Sequence, residues 1–402
     1  FQILASHVCA RWRAITLTTP LLWTRIQVEF TATPPFGGLI AKLTRSQNQF
    51  IDILIDAAPS DAQSMPDAHL NQVIVLLAPH TARWRSFDLN VTSYHQLQGC
   101  WELLTVPLLQ PPLHLVELIV ENSKNIKDFP GSPVTFFDGN LPRLKSVILI
   151  GVGVDWEQRW LKGSPHLTDI ELTDLEMNMR PSWEKFVRLL TESPQLQRLK
   201  LYEPVSWDWE PSPEHMSSSS FLPALPMLQT LELERVSQNY ARSILTRLAF
   251  PSLANLKLEL CGEYFTNLIH QLVTPPNRGP EAPPGLNSLL HGLKTLIISD
   301  LWCASHCVAL LFRELRSIEH LTLNMTNLDH EFLRHIGCRG NQSSRLPTLR
   351  TLSTVGVTGE LMREIVANRR HCGYPLRAVY MAEWEHMTKG EMERLRQDVD
   401  DF

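Results

Sequence analysis

Cys303, His306 and Cys307 have residue types and a spacing that could hold a transition metal in this 402-residue chain. Positions i, i+3 and i+4 share one face of a helix, and thiolate with imidazole is a ligand set suited to zinc. A closed structural site needs a fourth ligand, and the sequence points to none. Cys338 and His330 follow, but no spacing directs either of them to the cluster. Small cysteines on the buried side of a helix account for the same pattern. The sequence therefore leads us to expect neither a metal nor a cofactor.

Other reactive groupings fall short in the same way. Gly151-Val-Gly153 is a lone G-x-G with Trp156 where a dinucleotide loop needs a third glycine. The chain has no G-x-S-x-G elbow, Walker loop or H-E-x-x-H helix, and its fifteen histidines are scattered. No catalytic residue is assigned, and the expectation is a protein that is not an enzyme.

The elements that would position any site repeat along the chain. SPQLQRLKLYE, residues 193–203, carries Leu196, Leu199 and Leu201 in the frame L-x-x-L-x-L behind a Pro-led turn. A strand alternates faces with period two, so Leu199 and Leu201 point one way and Lys200 the other. The frame returns at Leu144, Leu167, Leu228, Leu253, Leu293, Ile318 and Leu349, with weaker copies from Phe50, Trp84, Leu115 and Leu376. About twelve units spaced by roughly 25 to 35 residues mean a solenoid, because each unit buries too little by itself. The expected fold is α/β, a leucine-rich-repeat-like solenoid: a curved parallel sheet with helices on the outer side. Helices are expected in LIAKLTRSQ, in the run bearing Leu70, Val73, Ile74 and Leu77, and in SWEKFVRLLTES, where Phe186, Leu189 and Leu190 share a face. NYARSILTRLAF and LMREIVANRR read alike, and MTKGEMERLRQDVDDF reads as a closing helix with Thr388 and Glu391 as a capping box.

Composition narrows the partners. A formal net charge of -5 with no Lys/Arg stripe disfavours nucleic acid, and no apolar run approaches the roughly 18 residues of a membrane span. Seven scattered cysteines favour a reducing compartment, cytoplasmic or nuclear. The residue between the two apolar positions of each strand should face the open side of the sheet: Asp88, Glu171, Lys200, Glu232, Lys257, Thr322, Ser353 and Tyr380. Most single members of such a ladder are solvated, yet together they form the best candidate for a protein-binding surface. Two insertions, 203–222 and 273–288, are rich in Pro and Ser; the first contains Trp207 and Trp209, which as exposed tryptophans would serve as interface anchors. Glu171, Lys200, Trp207, Trp209, Glu232, Lys257 and Tyr380 form the expected target-binding set.

The first residues depart from the repeat. Leu4, Val8, Trp12 and Ile15 recur at helical spacing, predicting one helix from about Leu4 to Leu17 that Thr19-Pro20 ends, with Trp23 as an apolar anchor. From the residues alone, this is a helix capping the open end of a solenoid. The pattern Leu4-x-x-x-Val8-Cys9-x-x-Trp12-Arg13, followed by Pro20-x-Leu22-Trp23, resembles the second half of an F-box. It resembles in particular that of fungal F-box proteins with degenerate leucine-rich repeats. His80, Arg83-Trp84 and the helix-then-strand order around them extend the resemblance to about residue 90. The resemblance implies that Leu4, Val8, Cys9, Trp12, Arg13, Pro20 and Trp23 face the Skp-type adaptor of a cullin-RING ubiquitin ligase while the repeats hold a protein target. The family's opening L-P-x-E helix would precede Phe1. The implied organisation is a partial helical F-box at 1–26, irregular first repeats at 27–112, and a solenoid at 113–402 closed by a capping helix. The alternative is an interaction scaffold unrelated to ubiquitin transfer.

Overall fold

A computed structural model describes residues 2–29, 36–58, 65–106, 110–122, 131–158, 165–202, 223–260, 265–273, 288–299, 303–324, 333, 336, 346–381 and 389–400. The chain divides into two compact units, Phe1–Leu196 and Gln197–Phe402. Trp207, Trp209, Cys338, His330, Thr388 and most of the two expected insertions lie outside the described residues.

The first unit is built on six parallel strands: β1 (Arg25–Glu29), β2 (Ile51–Asp56), β3 (Trp84–Val91), β4 (Glu117–Asn122), β5 (Ser146–Ile150) and β6 (Asp169–Thr173). Each pairs with the next in sequence order. Its helices are α1 (Gln2–Ser6), α2 (Ala10–Thr18), α3 (Phe36–Arg45), α4 (Asp67–Leu77), α5 (Tyr94–Leu104) and α6 (Trp183–Thr191). The second unit repeats the plan with seven parallel strands: β7 (Arg198–Tyr202), β8 (Thr230–Val236), β9 (Asn255–Leu260), β10 (Thr295–Ser299), β11 (His320–Asn324), β12 (Thr351–Val355) and β13 (Ala378–Met381). It carries α7 (Gln238–Arg247), α8 (Thr266–Val273), α9 (Ser305–Glu314), α10 (Gly359–His371) and α11 (Lys389–Asp398). The fold is an α/β, leucine-rich-repeat-like solenoid.

The repeat is visible atom by atom. Just before successive strands of the second unit, one backbone bond recurs: Gln229 N–H to Gln197 O, Ala254 to Gln229, Lys294 to Ala254, Glu319 to Lys294, Arg350 to Glu319 and Arg377 to Arg350, all 2.8–3.0 Å. Each frame leucine is buried, as Leu199, Leu231, Leu256, Leu296, Leu321 and Leu352 are, while the residues between them stay partly exposed. Parallel strands need return segments, and the helices supply them with their apolar faces toward the strands. Leu70, Val73, Ile74 and Leu77 of α4 are all buried, as are Phe186, Leu189 and Leu190 of α6. Serine or threonine hydroxyls cap several helices: Ser93, Ser182, Ser237 and Thr358 each accept a backbone N–H from three residues on, satisfying a donor the helix leaves open.

Two expectations are corrected. The N-terminal helix is not continuous: α1 ends in a tight turn, where His7 N–H bonds Leu4 O and Val8 N–H bonds Ala5 O. Cys9 is then extended (φ -160, ψ 169), and its sulfur accepts from Trp12 N–H at 3.5 Å to start α2. Thr19-Pro20 does end α2. Cys303 is not on the helix of His306 and Cys307, because α9 starts at Ser305 behind an extended Ala304 (φ -65, ψ 142). Thr266 Oγ1 holds that bend by accepting Ala304 N–H at 3.2 Å.

Candidate interaction surfaces

The N-terminal helix pair leaves its large apolar side chains uncovered. Leu4 is 76% exposed, Val8 64%, Trp12 50% and Ile15 54%, and Ile3 and Leu21 are exposed beside them in sequence. Cys9 and Arg13 are exposed as well, and Pro20 is partly so. Trp23 behaves differently. It is buried at 2% exposure, its indole Nε1–H donates to Thr16 O at 2.8 Å, and the Arg45 guanidinium lies 4.4 Å above its ring. A cation over an indole face is attractive, so α3 clamps the tryptophan that α2 and the Pro20–Trp23 turn present. Trp23 thus anchors the helix pair, with Ala5, Ser6 and Thr16 also buried, while the apolar side chains of Leu4, Val8, Trp12 and Ile15 face solvent.

The open face of the first unit is acidic. Asp88 faces Leu54 and Ile119 in register, with Asp56, Glu117 and Glu121 near it on the neighbouring strands. Burial first, then the charges of Glu117, Glu121 and Asp56, push its carboxyl up from 3.8 to about 6. A cleft of about 530 Å³ opens at the start of these strands, lined by Arg25, Asp52, Leu54, Arg85, Asp88 and Glu117. One wall is fixed by the two-pronged Arg85 to Asp52 pair, at 2.8 and 2.5 Å. Ser86 donates to Glu117 at 2.8 Å. Glu171 lies on β6, in register with Ile148 of β5.

In the second unit the expected ladder is in register: Lys200 opposite Glu232, Glu232 opposite Lys257, Thr322 opposite Ser353, and Ser353 opposite Tyr380. Ile297 stands between Lys257 and Thr322. The charges pair across strands rather than standing alone. Arg198 reaches Glu232 at 3.0 Å, and the nearly buried Glu234 takes Lys257 at 2.6 Å and Lys200 at 3.7 Å. Tyr380 is 46% exposed. Glu234 was missed in the sequence because it sits at a break in strand regularity: the register shifts between Leu233 and Val236, and Arg235 has φ 53. The acidic neighbours of Asp88 were missed because they belong to ladder positions two residues away, a relation visible only once register is known.

No helix of the described residues is long and apolar enough to cross a membrane. No protein-family model matches the chain, and no curated protein matches it. Among solved structures it is similar to TLR13 in a complex with ssRNA13, at 13% identity and TM-score 0.39, covering 89% of this chain. The chain spans 51% of the length of that TLR13 chain. It is also similar to the leucine-rich-repeat-containing protein LegL7 from Legionella pneumophila, at 12% identity and TM-score 0.36, covering 94% of this chain and 97% of that one. A leucine-rich-repeat protein of Leptospira interrogans is similar at 12% identity and TM-score 0.28, covering 90% and 68% respectively.

Proposed function

We propose that this chain is the substrate-recognition subunit of a cullin-RING ubiquitin ligase, docking through its N-terminal helix pair to a Skp-type adaptor and holding a protein target on its strand face. The observation that carries this reading is the exposure of Leu4, Val8, Trp12 and Ile15 on the two N-terminal helices and the turn between them, which Trp23 ties to the first repeat. A helix pair serving only to cap the solenoid would turn those side chains inward, since burying such a side chain fully is worth about 1.5 to 3 kcal/mol. Turned outward, they form the apolar half of an interface, with Cys9 and Arg13 at its polar edge. Trp23 contributes by holding the surface in place.

The strand faces supply the other half of the function. Chemistry on the target would be performed by other subunits, and this chain would raise the target's local concentration beside them. No reactive group is needed on the face, only shape and charge. The paired charges of Lys200, Glu232, Lys257 and Glu234 give the second unit a preorganised polar surface, and Asp56, Asp88, Glu117 and Glu121 give the first unit one that favours basic segments.

The test is a pull-down with the Skp-type adaptor, using this chain and the chain joined to an L-P-x-E helix. Retention of the joined form, lost on Trp12→Ala in a protein that still melts normally, supports the reading. If neither folded form is retained, the ligase role fails and a repeat scaffold with other partners stands in its place.

A further inference from the structure

We propose that His270, His306 and Cys307 form a zinc-binding site that clasps the helices of two consecutive repeats. His270 is on α8, the return helix after β9, and His306 and Cys307 open α9, the return helix after β10. Their ligand atoms all lie within 4.8 Å of one another. The Cys307 sulfur is 3.3 Å from His306 Nε2 and 3.6 Å from His270 Nε2. In a tetrahedral zinc site, bonds of about 2.3 Å to sulfur and about 2.0 to 2.1 Å to nitrogen put sulfur and nitrogen about 3.6 Å apart. The two sulfur–nitrogen edges are thus already close to those of a zinc tetrahedron, before any side chain moves.

The surroundings fit the chemistry. The Cys307 sulfur lies on a residue with no exposed surface, whereas both imidazoles are exposed. A metal would therefore rest on a buried thiolate with its histidine side toward solvent. The Thr266 hydroxyl that accepts Ala304 N–H ties the start of α8 to the start of α9 and fixes the approach of the two helices. The His270 and His306 rings are 5.6 Å apart at 43°, so they converge without stacking face to face. Cys303, four residues before Cys307 and partly exposed, is outside the trio and would have to move to take the fourth position, which water fills otherwise.

A thiol nucleophile is the competing chemistry for a cysteine flanked by histidines. It needs an accessible sulfur with a lowered pKa. Cys307 has no exposed surface, so a substrate in solution cannot reach its sulfur for attack. Among cysteine chemistries, the geometry favours ligation.

The test uses the whole chain, freed of metal by a chelator, and Zn²⁺ titrated against a chromophoric competitor, with Co²⁺ as a spectroscopic probe. One equivalent should bind at submicromolar concentration, and Co²⁺ should show sulfur-to-metal charge transfer. His270→Ala and Cys307→Ser should each weaken binding at least about 100-fold. His270→Ala removes an exposed ring, so an unchanged melting curve in the metal-free state will separate lost ligation from lost folding. Weakening by Cys303→Ser as well would assign the fourth ligand to that thiol; unchanged binding would assign it to water. A metal-free protein that takes up no Zn²⁺ below about 10 µM overturns the proposal, as does uptake that survives both His270→Ala and Cys307→Ser. The trio would then be a core thiol hydrogen-bonded to two imidazoles.

Discussion

The side chain of Arg369 on α10 has no exposed surface, yet it carries a permanent charge. Its guanidinium donates to the carbonyls of Ile336 at 3.1 Å, Leu346 at 2.9 Å and Leu349 at 3.4 Å. These acceptors belong to the segment leading into β12, so one side chain stitches the return helix to the turn before its strand. Arg369→Leu would leave the carbonyls without these donors, and hydrogen bonds to charged groups are worth about 1.5 to 3 kcal/mol each when buried. Urea unfolding should show a loss of about 3 kcal/mol. Asp88 makes the opposite case. Its carboxyl titrates at about 6 in the folded chain against 3.8 without the fold, so the stability linked to its proton is present below about pH 4 and lost as pH rises through 6. The group is partly exposed, and solvent screening reduces the effect to about 1 kcal/mol. Asp88→Asn should therefore stabilise the protein by about that amount at pH 7.5 and leave it unchanged at pH 4, as urea midpoints at the two pH values will show.

Elements were legible where the leucine frame was strong and lost where it was not. β1 is absent from the repeat pattern because its buried positions are Ile26 and Val28 rather than leucines and stand one residue further from the Pro20-led turn than the frame allows, yet they alternate as in the later strands. The N-terminal spacing predicts one helix, but only Trp12 and Ile15 share a helix, since Leu4 is on α1 and Val8 lies in the turn before the extended Cys9. The zinc candidate was half visible. His306 and Cys307 are adjacent, but His270 comes from another helix, and its only sequence signal was a histidine on the return helix of the preceding repeat. The two tryptophans of the N-terminal element separate anchor from surface. Trp23→Ala should cost about 3 kcal/mol and expose the Ile26 and Val28 amides to hydrogen exchange, because it empties a buried site. Trp12→Ala should change stability by less than about 0.5 kcal/mol, since its ring is half exposed.

Across the whole molecule the repeat was the most legible feature, because stacking makes every unit obey the same burial rule. All twelve expected strand positions carry strands, and the open-face ladder from Lys200 to Tyr380 is in register. What the sequence could not give was how the charges on that face neutralise one another, since Glu234 meets Lys200 and Lys257 only through pairing across β7, β8 and β9. At the other end of the function stand the exposed apolar side chains of the N-terminal segment and what covers them. The most direct test of adaptor docking there is a calorimetric titration of the Skp-type adaptor into the chain joined to an L-P-x-E helix, alongside the Trp12→Ala variant. One adaptor should bind per chain, Trp12→Ala should reduce the affinity at least about tenfold, and both proteins should melt at the same temperature. No heat at saturating adaptor, or equal affinity for the two proteins, would contradict that docking.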